Sequence, residues 1–307
     1  MEYFSDKENG PVQRNINEVT VNVWRGLVSY IQVLINKGYF GKFFPEECPD
    51  GQGCIGTEVK DFKAALLAEI PNLDWPPPDE VEKVNASNPL NPWSREMIPY
   101  VPNYLDVMDF LQFCYKHVAL PINGNYHAYY SHHHINFDVD AGRSEFRQKI
   151  NTIFARNRLA YELQHSGDII RLLSPQLIQM IGSVNAPREV ELRGMLDRAN
   201  AKIINVDVQV RYDAVKELWD FWERLKSIHC PSNKKQSVKQ LLDAAANTPE
   251  FRAVLEDEAK CLTEIGNTHL IRHAEMTQVK IQESDHIEYL YQRLFTLIHL
   301  LLKTLPY

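Results

Sequence analysis

Ile16, Val19, Val23, Leu27, Ile31 and Leu34 recur every three or four positions, which places one apolar stripe on a helix that Gly38 can end. A second helix is predicted from Thr57, a suitable N-cap, to Ile70 just before Pro71. Asn103 caps a third through about Val118, with Val107, Met108, Leu111 and Tyr115 on its apolar face. A strand-like segment follows, then a helix from about Ser144 to Arg156 facing a core through Phe146, Ile150, Ile153 and Phe154. Leu159 to Gln164 and Ile169 to Leu173, joined by His165-Ser166-Gly167-Asp168, read as a β-hairpin. Beyond Ser174 to Arg188, where Pro175, Gly182 and Pro187 interrupt the pattern, the apolar period is helical throughout. Tyr212, Val215, Leu218, Trp219, Trp222 and Leu225 mark one amphipathic helix. Ser237 is expected to cap a second, Thr248 followed by Pro249 a third that reaches about Ile265, and Ser284 the last, through Tyr289, Leu294, Leu297, Ile298 and Leu301.

The expected fold class is therefore α+β and mainly helical. An N-terminal α+β domain with a small hairpin or sheet spans residues 1–180, and an antiparallel all-α bundle spans 181–307. Trp219, Trp222, Leu255, Leu262, Leu294 and Ile298 are its expected core. Eight of the 17 prolines fall between Pro71 and Pro102, a density that forbids a long helix and predicts an extended connector over 71–102.

Composition narrows the function. The opening residues lack a basic start and an apolar run, and Arg293 and His299 interrupt the most apolar stretch, so the expectation is a cytoplasmic protein with neither signal peptide nor membrane span. Five scattered cysteines fit reduced thiols. A net charge of −7 argues against broad adhesion to nucleic acid, and from Gly182 onward 17 Lys and Arg face 18 Asp and Glu. Any RNA contact must then be local or built from two subunits.

Two constellations carry chemistry. If residues 132–140 are extended, His132, His134, Asn136, Asp138 and Asp140 share one face, while His133, Ile135, Phe137 and Val139 share the other. This polar ridge reads as a solvated sheet face, a surface that recognises a ligand or partner, or a metal site. Recognition through His132, His134, Asp138 and Asp140 is expected rather than a metal, because three consecutive histidines cannot all face one ion and no distant third ligand is evident. Cys48 and Cys54 are spaced too widely for a zinc knuckle, and no second cysteine pair follows. The other constellation runs from Glu264 to Glu275 through Asn267, His269, Arg272 and His273. Arginine can grip a phosphate and histidine can move a proton near neutral pH, which suits metal-free cleavage of RNA by its own 2′-hydroxyl. The alternative is a helix end where Arg272 and His273 satisfy the last carbonyls. There is no Gly-rich phosphate loop ending in Gly-Lys-Ser/Thr, no Gly-x-Ser-x-Gly and no His-Glu-x-x-His.

Three stretches resemble the abortive-infection J-type (AbiJ-like) proteins of bacterial phage defence, whose C-terminal domain is of the HEPN class. They are Phe4-Ser5 with Lys7 and Gly10; His132 to Arg143 running into Asn151 to Asn157 and Ala160 to Leu163; and Trp219 to Lys226 with Ile265 to Thr268 and Ile271 to Glu275. The resemblance implies a sensor-like N-terminal domain, a dimeric metal-independent endoribonuclease domain without cofactor, RNA as substrate, and phage or defence-system proteins as partners. Asn267, His269, Arg272 and His273 are the catalytic candidates it suggests. The family signature, arginine followed after four to six residues by histidine, occurs literally at Arg224 to His229, Arg293 to His299 and Arg158 to His165, a number that chance spacing explains. The order around Asn267 departs from it. A domain that has lost its chemistry and serves assembly is the alternative.

Overall fold

The computed structural model describes residues 4, 8, 14–84, 95–185, 187–269, 271 and 279–305. The chain divides into two compact units, Met1–Ile170 and Arg171–Tyr307. Strand pairs occur among helices in the first unit and helices dominate the second, the mainly helical α+β class expected.

In the first unit, α1 (Val21–Asn36) buries Val23, Trp24, Leu27, Ile31 and Leu34. The helix starts later than the apolar period suggests. Ile16 instead forms a parallel bridge to Leu159, because its amide and carbonyl bond to Arg158 and Ala160. Gly38, at φ 80, turns the chain out of α1 as only glycine does without strain. The β1 (Pro45–Glu47) and β2 (Cys54–Thr57) strands pair antiparallel, and α2 (Val59–Glu69) follows with Glu58, not Thr57, as its cap. The proline-dense connector contributes the antiparallel pair β3 (Glu80–Val84) and β4 (Arg95–Pro99). Asn103 caps α3 (Tyr104–His117) by accepting from the Leu105 amide at 2.9 Å.

Next come β5 (Leu120–His127) and β6 (His132–Asp138), antiparallel with His127 opposite His132, then α4 (Val139–Arg156) and the short paired strands β7 (Tyr161–Leu163) and β8 (Ile169–Arg171). The unit's core is aromatic. The Trp24 ring meets Phe110 edge-on at 5.7 Å, and Phe62 meets Phe113 likewise at 5.7 Å.

The second unit holds α5 (Pro175–Ser183), α6 (Val190–Ile203), α7 (Val208–Leu225), α8 (Lys234–Ala245), α9 (Pro249–Thr268) and α10 (Ser284–Leu302). Trp219, Trp222, Leu255, Leu262, Leu294 and Ile298 are all buried in one core. Thr248 caps α9 with Pro249 in the first turn, as expected. Ser237 is no cap. Asn233 begins α8 four residues earlier, and the buried Ser237 hydroxyl accepts from the His229 amide at 3.0 Å. Arg171 enters this unit paired with Glu288 at 2.5 Å. No helix among the described residues is long and apolar enough to cross a membrane.

Candidate functional site

The polar ridge divides between two tasks. Strand β6 stops at Asp138, so the extended reading over 132–140 is corrected. The Asp138 carboxylate accepts from the Ala141 amide at 2.9 Å as the N-cap of α4, and Asp140 lies in that helix's first turn. The helix therefore begins at Val139, five residues before Ser144. A carboxylate cap and an acid in the first turn satisfy free amides and oppose the positive helix end, which gives both residues structural duties. Asp138→Ala is expected to cost about 1 kcal/mol and Asp140→Ala about half as much, read by denaturant unfolding. Equal small effects would show that the cap contributes nothing.

His132 and His134 turn the other way, toward the β1–β2 turn. That turn is tightly closed: the Cys48 amide donates to Gly53 O at 2.8 Å, the Gly51 amide to Cys48 O at 2.8 Å, and the Gln52 amide to Asp50 Oδ1 at 2.9 Å. Gly51 adopts φ 70 at its apex. A Cβ on Gly53 would stand 2.7 Å from His134 Cγ, so the missing side chain is what lets the imidazole lie against the turn. From β5 comes His127, whose Nδ1 is 3.4 Å from Cys48 Sγ and 3.3 Å from Asp50 Oδ2.

The expectation that no distant ligand reaches the ridge is thus corrected. Cys48 and His127, separated from each other by 79 positions, join His132 and His134, and one ligand-type atom from each lies within 4.8 Å of the others. His133, on the face that the alternation shares with Ile135 and Phe137, is exposed and bonds Gly124 O. Cys48 is buried, which pushes its thiol above the usual range, and the Asp50 carboxyl, held low by the Cys48 thiol and the Gln52 amide, raises it further. Cys54 faces elsewhere, its thiol donating to Gly56 O at 3.1 Å.

In the helical unit, α9 carries Asn267 in its last turn and His269 as C-cap. The His269 amide donates to Ile265 O at 3.0 Å, and its buried Nδ1 has no partner among the described residues. Arg272 and His273 lie outside the described residues. Of the literal arginine-to-histidine spacings, Arg224 is gripped by Glu189 at 2.9 and 3.1 Å, and Arg293 by Glu258 at 2.8 and 2.9 Å. These arginines are committed to carboxylates in the structure.

Sequence reasoning missed a groove of 860 Å³ between α8 and α9. Lys226, Lys234, Lys235, Lys239, Arg252 and Lys260 line it with Glu256 and Glu264, and Glu223, Asp243 and Glu256 pair with five of the six cations. Summing charge over the whole half hid it, whereas the run Lys234-Lys235 with Lys239 was the available signal. The groove follows α9 as far as Glu264, which shares a helix face with Asn267 three residues on.

No curated protein and no solved structure matches the chain. The sequence model of the family AbiJ N-terminal domain 4 matches residues 2–184, which covers the first unit from its second residue onward and ends just past α5. That span is more than half of the chain, and the chain accordingly belongs to the AbiJ N-terminal domain 4 family.

Proposed function

We propose that this chain is a bacterial antiphage effector of the abortive-infection kind, in which the family-matched unit senses infection and the helical unit acts on RNA as a metal-independent, HEPN-class ribonuclease. The basic groove between α8 and α9 carries this reading: Glu223, Asp243 and Glu256 pair with five of its six cations, yet six cations gathered along one groove still exceed the four carboxylates at it, Glu264 included, on a unit that is otherwise near neutral. A phosphate backbone lying in it runs along α9 toward Asn267 and His269. There Arg272 would stabilise the phosphorane, while His273 or His269 takes the 2′-hydroxyl proton and protonates the leaving oxygen. Two copies of the helical unit would supply paired sets of these groups to one groove, consistent with self-association as a homodimer.

Total RNA incubated with the purified protein is expected to be cut. The Arg272→Ala His273→Ala variant should cut it at least roughly a hundredfold more slowly with the melting temperature unchanged. Replacing Lys234, Lys235 and Lys239 by Glu should weaken RNA binding and flatten its dependence on salt. A strictly monomeric wild-type protein that neither binds nor cuts RNA would leave the noncatalytic assembly role in its place.

A further inference from the structure

We propose that Cys48, His127, His132 and His134 bind one zinc ion as a closed, four-coordinate structural site that staples the β5–β6 hairpin to the β1–β2 turn. Four observations lead there.

The donor set comes first. One thiolate and three imidazoles is a combination that selects zinc among abundant divalent ions, and four protein ligands leave no open position for a reacting water. The second is geometry. Tetrahedral zinc with ordinary sulfur and nitrogen bond lengths separates a sulfur from a nitrogen ligand by about 3.5 Å, and places the centres of two radially bound imidazoles about 5.2 Å apart. Cys48 Sγ and His127 Nδ1 are 3.4 Å apart. The three ring centres form a nearly equilateral triangle with sides of 5.3, 5.5 and 5.6 Å. Rings packed merely for contact have no reason to form that triangle around a common centre with a thiol at its apex.

The third observation is an unmet valence. Nε2 of His132 and of His134 are both buried with no hydrogen-bond partner among the described residues. Leaving two buried imidazole nitrogens unpaired costs free energy that a shared cation removes. The fourth is the outer shell. Gly53, behind the ligands, provides the space that the His134 ring occupies. Cys48 is 2% exposed, so the thiolate would be shielded from solvent and oxidants.

The test uses the full chain freed of any polyhistidine tag. It is equilibrated with equimolar zinc, passed through a desalting column and assayed for metal and protein. About one zinc per chain is expected for the wild type and for His133→Ala, and about a tenth or less for Cys48→Ser His134→Ala. Gly53→Ala keeps all four ligands but crowds His134, and should lower zinc affinity roughly tenfold or more in competition with a chelator. Replacing zinc by cobalt should give the intense visible bands of a tetrahedral ion with a thiolate charge-transfer band in the near ultraviolet, the latter lost in Cys48→Ser. The cobalt spectrum of the wild type decides the matter even where the double variant fails to fold. A wild type that retains less than about a tenth of an equivalent, or a pale octahedral cobalt spectrum without a thiolate band, overturns the proposal, as does a folded double variant that keeps a full equivalent.

Discussion

Trp219→Ala is expected to lower folding stability by about 3–5 kcal/mol, enough to move the melting midpoint by roughly 10 °C. The ring is fully buried in the core of the helical unit, and its Nε1 donates to Leu262 O on α9 at 3.0 Å, so truncation opens a large cavity and also breaks a buried link between α7 and α9. Two neighbouring substitutions separate the contributions. Trp219→Phe retains most of the volume but removes the donor, for an additional loss of about 1 kcal/mol beyond the smaller ring's packing. Trp222 lies on the same helix, equally buried, with no partner for its Nε1 among the described residues, so Trp222→Phe should cost less than Trp219→Phe. Denaturant unfolding followed by circular dichroism provides the ranking. Equal effects of the two Phe substitutions would show that the Trp219 hydrogen bond contributes nothing net.

Gly142→Ala should destabilise the N-terminal unit by about 3 kcal/mol, the upper end of what overpacking costs. A Cβ there would stand 2.3 Å from Leu120 N, 2.6 Å from Ala119 C and 2.7 Å from Ala119 Cα. These are backbone atoms. They cannot rotate aside, so α4 must lift away from the start of β5. Gly26 provides the opposite case, an exposed helical glycine on α1 with open space around its Cβ position. Gly26→Ala should stabilise by up to about 1 kcal/mol. If the two alanines behaved alike, helix propensity rather than close approach would govern Gly142.

The helical core was legible because its signal is local and redundant. Each of Trp219, Trp222, Leu255, Leu262, Leu294 and Ile298 sits on a stripe that repeats every three or four residues, and any one of them could be misread without changing the answer. Caps were legible only in part. Thr248 and Asn103 do what their types suggest, but Ser237 does not, because Asn233 competes for the same start and the Ser237 hydroxyl is worth more against the His229 amide.

The histidine ridge was visible as a pattern, but its remote neighbours were not. Period-two alternation identified His132 and His134 as partners and excluded His133, but the reading had to assume how far the strand extends, and Asp138 ends it as a helix cap. The decisive neighbour, Cys48, is remote in sequence and comes near only because the β1–β2 turn folds back through Gly51 and Gly53. Nothing in its own surroundings marks it, and the nearby Cys54 invited a pairing that the fold does not make. The basic groove was lost for the reverse reason, since a sum over half the chain averages away a cluster formed by two adjacent helices.

The pairing of His127 with His132 across the β5–β6 hairpin has a consequence for how this segment tolerates changes of length. Residues added between Ala128 and Ser131 enlarge the loop and leave the flanking ladder in step. One residue added or removed between His132 and His134 would swing the later imidazole to the opposite side of the strand and carry Ile135 and Phe137 with it. Length polymorphism among descendants of this chain should therefore gather at the tyrosine-bearing tip and stop abruptly at the histidines on either side.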